Sequence, residues 1–431
     1  MGQNSYFSAL AAGRRIAVLG MGVTGLAVAR FFSKNGIAFT AHDCNPLAGG
    51  GEFAIASTFF PNGSELVIYS PGLLHSPWLN LAKKMGCHCL GELDLAQLFH
   101  ANPTIAVTGT NGKTSTVTML AALLFHAGRR FRATGNLGHA AIDAVPTFAA
   151  DANLWNLCEV SSFQAHGLRH MAPRHVLWTN FAENHRDLHP SLEDYFFAKW
   201  NLLERCQETA FVGEDVADWA KFFGQSLPAN AIICPAWEGK CDHPFLQMAH
   251  QRENFSLVLA LGQHLGWDIG WILDAMMANL QPPPYRLFRP ILLNNWELWN
   301  DSKATNAAAV LRALDQVQRP GIRTVWITGG SSKGESWKNF LPIIRRVDHV
   351  LCFGGVGEWI AALAGPGKAE LLPTASALFP RLRQLASNGG GGTALFSPGF
   401  ASFDLFLGYA ERGRWFDGGV AGAATVDGEI S

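Results

Sequence analysis

The sequence predicts an α/β protein of three domains, each built on a mostly parallel sheet: a Rossmann-like N-terminal domain, a central P-loop ATPase-type domain and a C-terminal Rossmann-like domain. Three observations carry this reading. Short apolar runs alternate with helical patterns along most of the chain, as βα units require. Many of those runs end in glycine-rich turns, which puts the loops that bind ligands at strand carboxyl ends. The length of 431 residues also corresponds to about three domains of ordinary size.

The first domain, 1–102, opens with a strand from Arg15 to Leu19 that turns through Gly20-Met21-Gly22-Val23-Thr24-Gly25 into a helix ending near Gly36. A second strand, Ile37 to His42, is expected to end at Asp43. An acidic residue about 20 positions beyond such a turn places a diphosphate on the helix N-terminus and a carboxylate beside a ribose or base. Ser70-Pro71-Gly72, after the apolar run Leu66 to Tyr69, closes another loop on the same edge.

The central domain, 103–284, contains the most specific feature of the chain. An apolar run, Thr104 to Val107, leads through Thr108-Gly109-Thr110-Asn111-Gly112-Lys113-Thr114-Ser115 into a helix expected from Thr114 to His126. Strand, glycine-rich turn and helix N-terminus aim backbone N–H groups and the positive end of a helix dipole at one point, and Lys113 adds a charge for the β- and γ-phosphates of ATP or GTP. The loop departs from the full G-x-x-x-x-G-K-[ST] pattern, because Val107 stands at the first glycine. Further strands are expected at Asn153 to Cys158 and His175 to Trp178. Glu159 then offers Mg²⁺ a hard oxygen ligand, and a polar cluster from Asn180 to Asp187 precedes Lys199 on a following helix. A helix from Ile272 to Leu280 runs into Pro282-Pro283-Pro284, which cannot continue it and marks a boundary.

The third domain, 285–431, repeats the strand-then-glycine pattern. Thr324 to Ile327 runs into Gly329-Gly330, Val350 to Phe353 into Gly354-Gly355, and Ala394 to Phe396 into Ser397-Pro398-Gly399. The polyglycine Gly389 to Gly392 and the tail after Gly418 are expected to be flexible and without chemistry.

Composition removes several function classes. A net charge of -1, with 16% charged residues, gives no basic stripe for a nucleic acid backbone. Apolar runs such as Met119 to Phe125 fall well short of the roughly 20 residues that span a bilayer. Met1 to Arg15 lacks the pattern of an export signal, so a cytoplasmic enzyme is expected. The eight cysteines contain no C-x-x-C pair, and Cys87-His88-Cys89 has no second pair to close a tetrahedral zinc site. A NAD-dependent dehydrogenase would use the Gly20 to Gly25 turn and Asp43 but leave the triphosphate loop and Lys199 idle. His185-Arg186-Asp187-Leu188 matches a protein kinase motif, yet Leu192 occupies its metal-binding asparagine position and no Asp-Phe-Gly follows.

One set of motifs resembles the Mur ligase family of peptidoglycan synthesis over nearly the whole chain. It comprises Gly109 to Thr114, Gly135-Asn136-Leu137-Gly138, Glu159-Val160-Ser161-Ser162-Phe163-Gln164, the Asn180 to Asp187 cluster with Lys199, and Asp301-Ser302-Lys303-Ala304-Thr305-Asn306. The resemblance implies an ATP-dependent ligase with two Mg²⁺ ions that adds glutamate to UDP-N-acetylmuramoyl-L-alanine, acting as a monomer. The D-isomer is the expected acceptor, with L-glutamate and a catalytically inactive nucleotide-binding module as the alternatives.

Carried over by position, it implies that Gly109, Thr110, Asn111, Gly112, Lys113, Thr114 and Ser115 hold ATP phosphates, with Asn254 at the adenine and Arg286 and Asp301 arriving from the third domain. Lys113, Glu159, His185 and Lys199 are the implied catalytic residues. Thr114, Glu159, His185 and a carbamylated Lys199 are the implied metal ligands. Gly22, Val23, Thr24, Asp43, Ser70, Gly72 and Asn136 would hold the UDP-sugar, and Lys303, Thr305, Lys333, Ser402, Phe403 and Tyr409 the amino acid. The chain departs from the family at Asn184, where aspartate is usual, at Asn45, where an arginine often meets the uracil, and at Gly399-Phe400, where Ala-Cys is common. The last departure bears on which amino acid is accepted.

Overall fold

Glycine-punctuated apolar runs become three separate sheets in the computed structural model, which describes residues 3–136, 139–185 and 188–426. The first sheet has the order β3-β2-β1-β4-β5, from β1 (Arg15–Leu19), β2 (Thr40–His42), β3 (Ile55–Ala56), β4 (Glu65–Tyr69) and β5 (His88–Gly91). The second has the order β11-β10-β9-β6-β8-β7, from β6 (Thr104–Thr108), β7 (Phe131–Gly135), β8 (Trp155–Glu159), β9 (His175–Trp178), β10 (Thr209–Gly213) and β11 (Ala231–Cys234). The third has the order β12-β13-β17-β14-β15-β16, from β12 (Ile291–Leu293), β13 (Trp296–Asn300), β14 (Arg323–Gly329), β15 (His349–Phe353), β16 (Ala369–Leu371) and β17 (Gly392–Phe396). Pairing is parallel throughout the first two sheets, and in the third only β12 runs antiparallel to its neighbour β13.

Every residue of β4, β6, β8 and β17 is buried, as strands covered by helices on both faces must be. Neighbouring strands whose connections leave in opposite directions open a crevice at their carboxyl ends. β1 beside β4 and β6 beside β8 supply those positions in the first two sheets.

The chain divides into two compact units. Met1–Phe181, Ser191–Gly239 and Arg252–Leu280 form one, which contains the first and second sheets; Ala182–Pro190, Lys240–Gln251 and Gln281–Ser431 form the other, which contains the third. Trp326, Phe340, Val350 and Phe400 centre one apolar cluster of the second unit, and Phe353, Phe396 and Phe416 another.

Several expected boundaries move. Ile37 to Phe39 do not extend β2, because Ile37 N–H stays bonded to Phe32 O and Gly36 N–H to Ser33 O, closing the preceding helix in a C-cap. The strand expected from Asn153 begins at Trp155 and includes Glu159, since Asn153 N–H is held by the Asp151 side chain in a turn. The helix before the prolines is Ile269–Asn279, capped by Asp268 Oδ1 accepting from Trp271 N–H. Polyglycine ends inside the sheet, with Gly392 opening β17. The tail after Gly418 is helical, part of Tyr409–Val426, because Phe416 and Val420 lie one turn apart and are both buried in the core. Leu137, Gly138, Arg186, Asp187 and 427–431 lie outside the described residues. Among the described residues no helix is long and apolar enough to cross a membrane.

Candidate active site

The loop after β6 is shaped by two glycines and by side chains from three other segments. Gly112 caps the helix Lys113–His126 at φ 81°, and a β-carbon there would collide with Asn254 Oδ1. A β-carbon at Gly109 would collide with Thr179 Oγ1. Only glycine therefore permits both the backbone turn and the close approach. Thr179 and Asn180, directly after β9, hold the loop: Thr179 Oγ1 donates to Asn111 O at 2.5 Å, and Asn180 Oδ1 accepts from Asn111 N–H at 2.9 Å. The hydroxyls of Thr110 and Tyr195 meet at 3.1 Å in a buried contact.

Charge gathers at the same place. Lys113 Nζ donates to Gly109 O at 2.7 Å and to Thr110 O at 3.0 Å. Lys199, on the helix Leu192–Glu204 and only 1% exposed, donates to the same Gly109 O at 3.0 Å. Burial holds the Lys199 ammonium well below its ordinary value of 10.5, the nearby Lys113 pushes it the same way, and Glu159 opposes both. Thr114 Oγ1 donates to Glu159 Oε2 at 2.8 Å, and Asn136 Nδ2 donates to Glu159 Oε1 at 2.8 Å. The structure thus brings Lys113, Thr114, Glu159, Lys199, Asn136 and Asn254 together around one loop. Asn136, expected at the UDP-sugar, has its side-chain amide on the Glu159 carboxylate.

At the first sheet, Asp43 Oδ2 accepts from Met21 N–H at 2.7 Å and Oδ1 from Asn45 N–H at 2.9 Å. The carboxylate therefore fastens the glycine turn to the end of β2. Ser70 Oγ donates to Gly20 O at 2.6 Å, which joins that turn to the loop after β4. Gly22 and Val23 are exposed, Thr24 is half-buried, and Gly72 follows Pro71 in a short 3₁₀ turn. Asn45 bends back to accept from Leu47 N–H. Cys44 beside it is exposed.

In the second unit, His185 adopts φ 54°, a conformation uncommon outside glycine, while Asn184 Oδ1 accepts from His185 N–H at 2.9 Å. Three loops meet at the carboxyl ends of β13, β14 and β17. Arg412, wholly buried on the helix Tyr409–Val426, donates to Ser302 Oγ and Ser302 O, to Gly329 O and twice to Phe400 O. Asp301 Oδ2 accepts from Ser397 Oγ at 2.9 Å. Burial pushes the Asp301 carboxyl up to about 7, against that hydrogen bond and the charges of Arg286 and Arg412. Arg286 is half-buried between Tyr285 and Leu287, both at positive φ.

The residues expected at the amino acid occupy the same loop edge. Lys303 Nζ sits over the Tyr409 ring, 3.9 Å from its centroid. Lys333 N–H donates to Glu335 Oε2, Ser402 is buried, Thr305 is half-buried, and Phe403 is exposed. Phe400, one of the departures, stacks on Phe340 with centroids 4.5 Å apart and is fully buried, so its ring belongs to the core. Tyr195, Thr179 and Arg412 escaped the sequence reading. Thr179 adjoined a cluster already singled out, whereas a lone arginine in a glycine-rich helix carries no motif.

The Mur ligase middle domain pattern matches residues 107–232. The UDP-N-acetylmuramoylalanine–D-glutamate ligase of Synechococcus elongatus is 30% identical over 455 residues, covering 93% of this chain and 97% of the relative. The enzyme of the same name from Geobacter metallireducens is 29% identical, covering 96% of this chain and 98% of its own. Among solved structures, MurF ligase from Thermotoga maritima in complex with ADP aligns with a TM-score of 0.57 at 15% identity over 84% of this chain and 95% of that one. UDP-N-acetylmuramate-alanine ligase MurC from Thermotoga maritima aligns with a TM-score of 0.56 at 16% identity over 95% of this chain and 99% of its own. The two structures share the fold, and the full-length sequence relatives settle the kinship: the chain belongs to the Mur ligase family.

Proposed function

We propose that the protein is an ATP-dependent ligase that joins D-glutamate to UDP-N-acetylmuramoyl-L-alanine in peptidoglycan precursor synthesis, acting as a cytoplasmic monomer. In this reading 1–102 hold the UDP-sugar, 103–284 hold ATP, and 285–431 hold the amino acid. The observation that carries it is the convergence of the Lys113 and Lys199 side chains on Gly109 O, beside the Thr114 and Glu159 pair. The Lys113 cation and hard oxygen donors at a glycine-shaped helix N-terminus match the charge of a nucleotide triphosphate and its metal.

The residues fit Mg²⁺. Thr114 and Glu159 offer hard oxygens 2.8 Å apart, and Lys199 is buried with its ammonium disfavoured. A neutral Lys199 amine can attack CO₂ through its lone pair, forming an N–C bond and releasing a proton to water, which leaves a carbamate oxygen near Glu159. His185 is assigned as a further ligand. Thr114, Glu159, His185 and the carbamate would hold two Mg²⁺ ions, which would supply neutralisation of phosphate charge.

The chain's own groups then do the following. Loop N–H groups from 109–115 and the Lys113 ammonium hold the β- and γ-phosphates in line with the alanyl carboxylate. A carboxylate oxygen attacks the γ-phosphorus, the bond to the ADP oxygen breaks, and an acyl phosphate forms. The glutamate amine attacks the acyl carbon, loses a proton, and expels inorganic phosphate. Asn254, Arg286 and Asp301 are assigned to the nucleotide; Lys303, Thr305, Lys333, Ser402, Phe403 and Tyr409 to glutamate, whose two carboxylates call for cations and N–H or O–H donors at fixed separation. Gly22, Val23, Thr24, Asp43, Ser70, Gly72 and Asn136 are assigned to the UDP-sugar. The D-isomer is favoured by the names of the relatives.

Purified protein given ATP, Mg²⁺, UDP-N-acetylmuramoyl-L-alanine and either isomer of glutamate tests the proposal by phosphate release and product mass. Turnover with D-glutamate alone is expected. Turnover with only L-glutamate would overturn the acceptor, and no turnover with either would overturn the ligase.

A further inference from the structure

The amino-end edge of the second sheet, opposite the phosphate loop, carries a cluster of donors that the ligase reading does not use. His175 opens β9, Glu208 immediately precedes β10, and His264 ends the helix Ala249–His264. The register places Thr209 opposite His175, so Glu208 arrives beside that imidazole through strand pairing. One ligand atom from each of His175, Glu208 and His264 lies within 4.8 Å of the others.

We propose that His175, Glu208 and His264 form a binding site for a first-row transition metal, with Zn²⁺ as the reference ion. His175 is fully buried, and neither ring nitrogen has a hydrogen-bond partner within normal length. A buried polar group left in that state is costly unless something else satisfies it. Its Nε2 lies 3.6 Å from Glu208 Oε2, beyond a hydrogen bond but on the side of a common ion. Glu208 Oε1 accepts from Arg174 Nε at 2.7 Å, which leaves Oε2 toward His175. His264 meets His175 edge to face, with centroids 5.4 Å apart, and its Nε2 is 3.4 Å from Thr209 Oγ1.

Two imidazoles and one carboxylate are the donor set of three-ligand zinc sites, which leave a fourth position for water. Ligand atoms around a tetrahedral ion stand roughly 3.4 Å apart. Glu208 and His264 are exposed and can close the remaining distance around the fixed His175. Nitrogen donors favour zinc, cobalt, nickel or copper over Mg²⁺, which separates this site chemically from the one at Glu159.

The same helix carries Asn254 against Gly112 and, ten residues or about 15 Å further on, His264. An ion held here would tie the far end of that helix to the starts of β9 and β10. Its effect is therefore stabilisation of the element that supports the phosphate loop.

Titration of the full chain with Co²⁺ in excess Mg²⁺ tests the site, because tetrahedral Co²⁺ absorbs in the visible. One Co²⁺ per chain is expected, displaced by Zn²⁺, with Zn²⁺ raising the melting temperature. His264→Ala and Glu208→Gln, both at exposed positions, should each weaken binding about 10-fold or more and remove the thermal shift. Failure to bind stoichiometric Co²⁺, equal affinity in both variants, or competition by Mg²⁺ would each overturn the proposal.

Discussion

Thr179 and Asn180 after β9, Tyr195 on one helix and Asn254 on another all hold or pack against the phosphate loop, whereas one side chain, Arg412, holds three loops at the edge of the third sheet. The first arrangement spreads support over many partners, so losing one of them leaves the backbone largely in place. In the second, removing one guanidinium leaves several buried carbonyls without that donor at once. Chemistry is distributed in the opposite sense: the phosphate loop concentrates its positive charge in Lys113, while the third sheet offers Lys303, Lys333 and several hydroxyls.

The sharpest test of the first half is Lys113→Ala. The backbone cradle cannot replace a cation at the γ-phosphate, so kcat/KM should fall about 10²–10³-fold or more while the melting temperature changes little. Parent-level phosphate release would break the comparison at its strongest point.

Lys199→Met should abolish turnover yet stabilise the fold, because it removes a buried amine whose charged form is disfavoured. The unfolded chain binds a proton at Lys199 that the folded chain does not, so the parent gains stability as pH rises from the lowered folded value toward 10.5. The variant should lack that slope in denaturation measured across pH. Lys199→Ala should recover activity when short carboxylates are added, and absence of rescue counts against the carbamate.

Arg412→Met should lower unfolding stability by about 3 kcal/mol, since Ser302 O, Gly329 O and Phe400 O would lose a buried donor. Urea denaturation reads the loss, and a silent variant would show that the third-sheet loops are supported as broadly as the phosphate loop. Lys333→Ala should have the smallest effect, raising KM for glutamate well above any change in KM for ATP. An equal rise in both constants would assign Lys333 to the nucleotide.

Sequence made the phosphate loop legible because a strand, two constrained glycines and a lysine are contiguous. It also marked Glu159 and Lys199, but could not place them at one loop, since β6, β8 and the helix Leu192–Glu204 are joined only by tertiary packing. The antiparallel pair β12 and β13 was missed: its turn uses Asn294 at φ 50° without glycine. The final helix was hidden by its glycines, whose low helix propensity is overridden by burial of Phe416 and Val420.

The thiols offer a handle of a different kind. Burial pushes Cys89, Cys206, Cys234 and Cys352 up to about 11 and Cys158 up to about 12, which keeps them as inert thiols near pH 7. Cys44 is exposed one residue beyond the carboxylate that fastens the glycine turn of the first sheet. A maleimide fluorophore therefore has a preferred address beside that turn, where its emission can report occupancy of the N-terminal domain without any engineered cysteine.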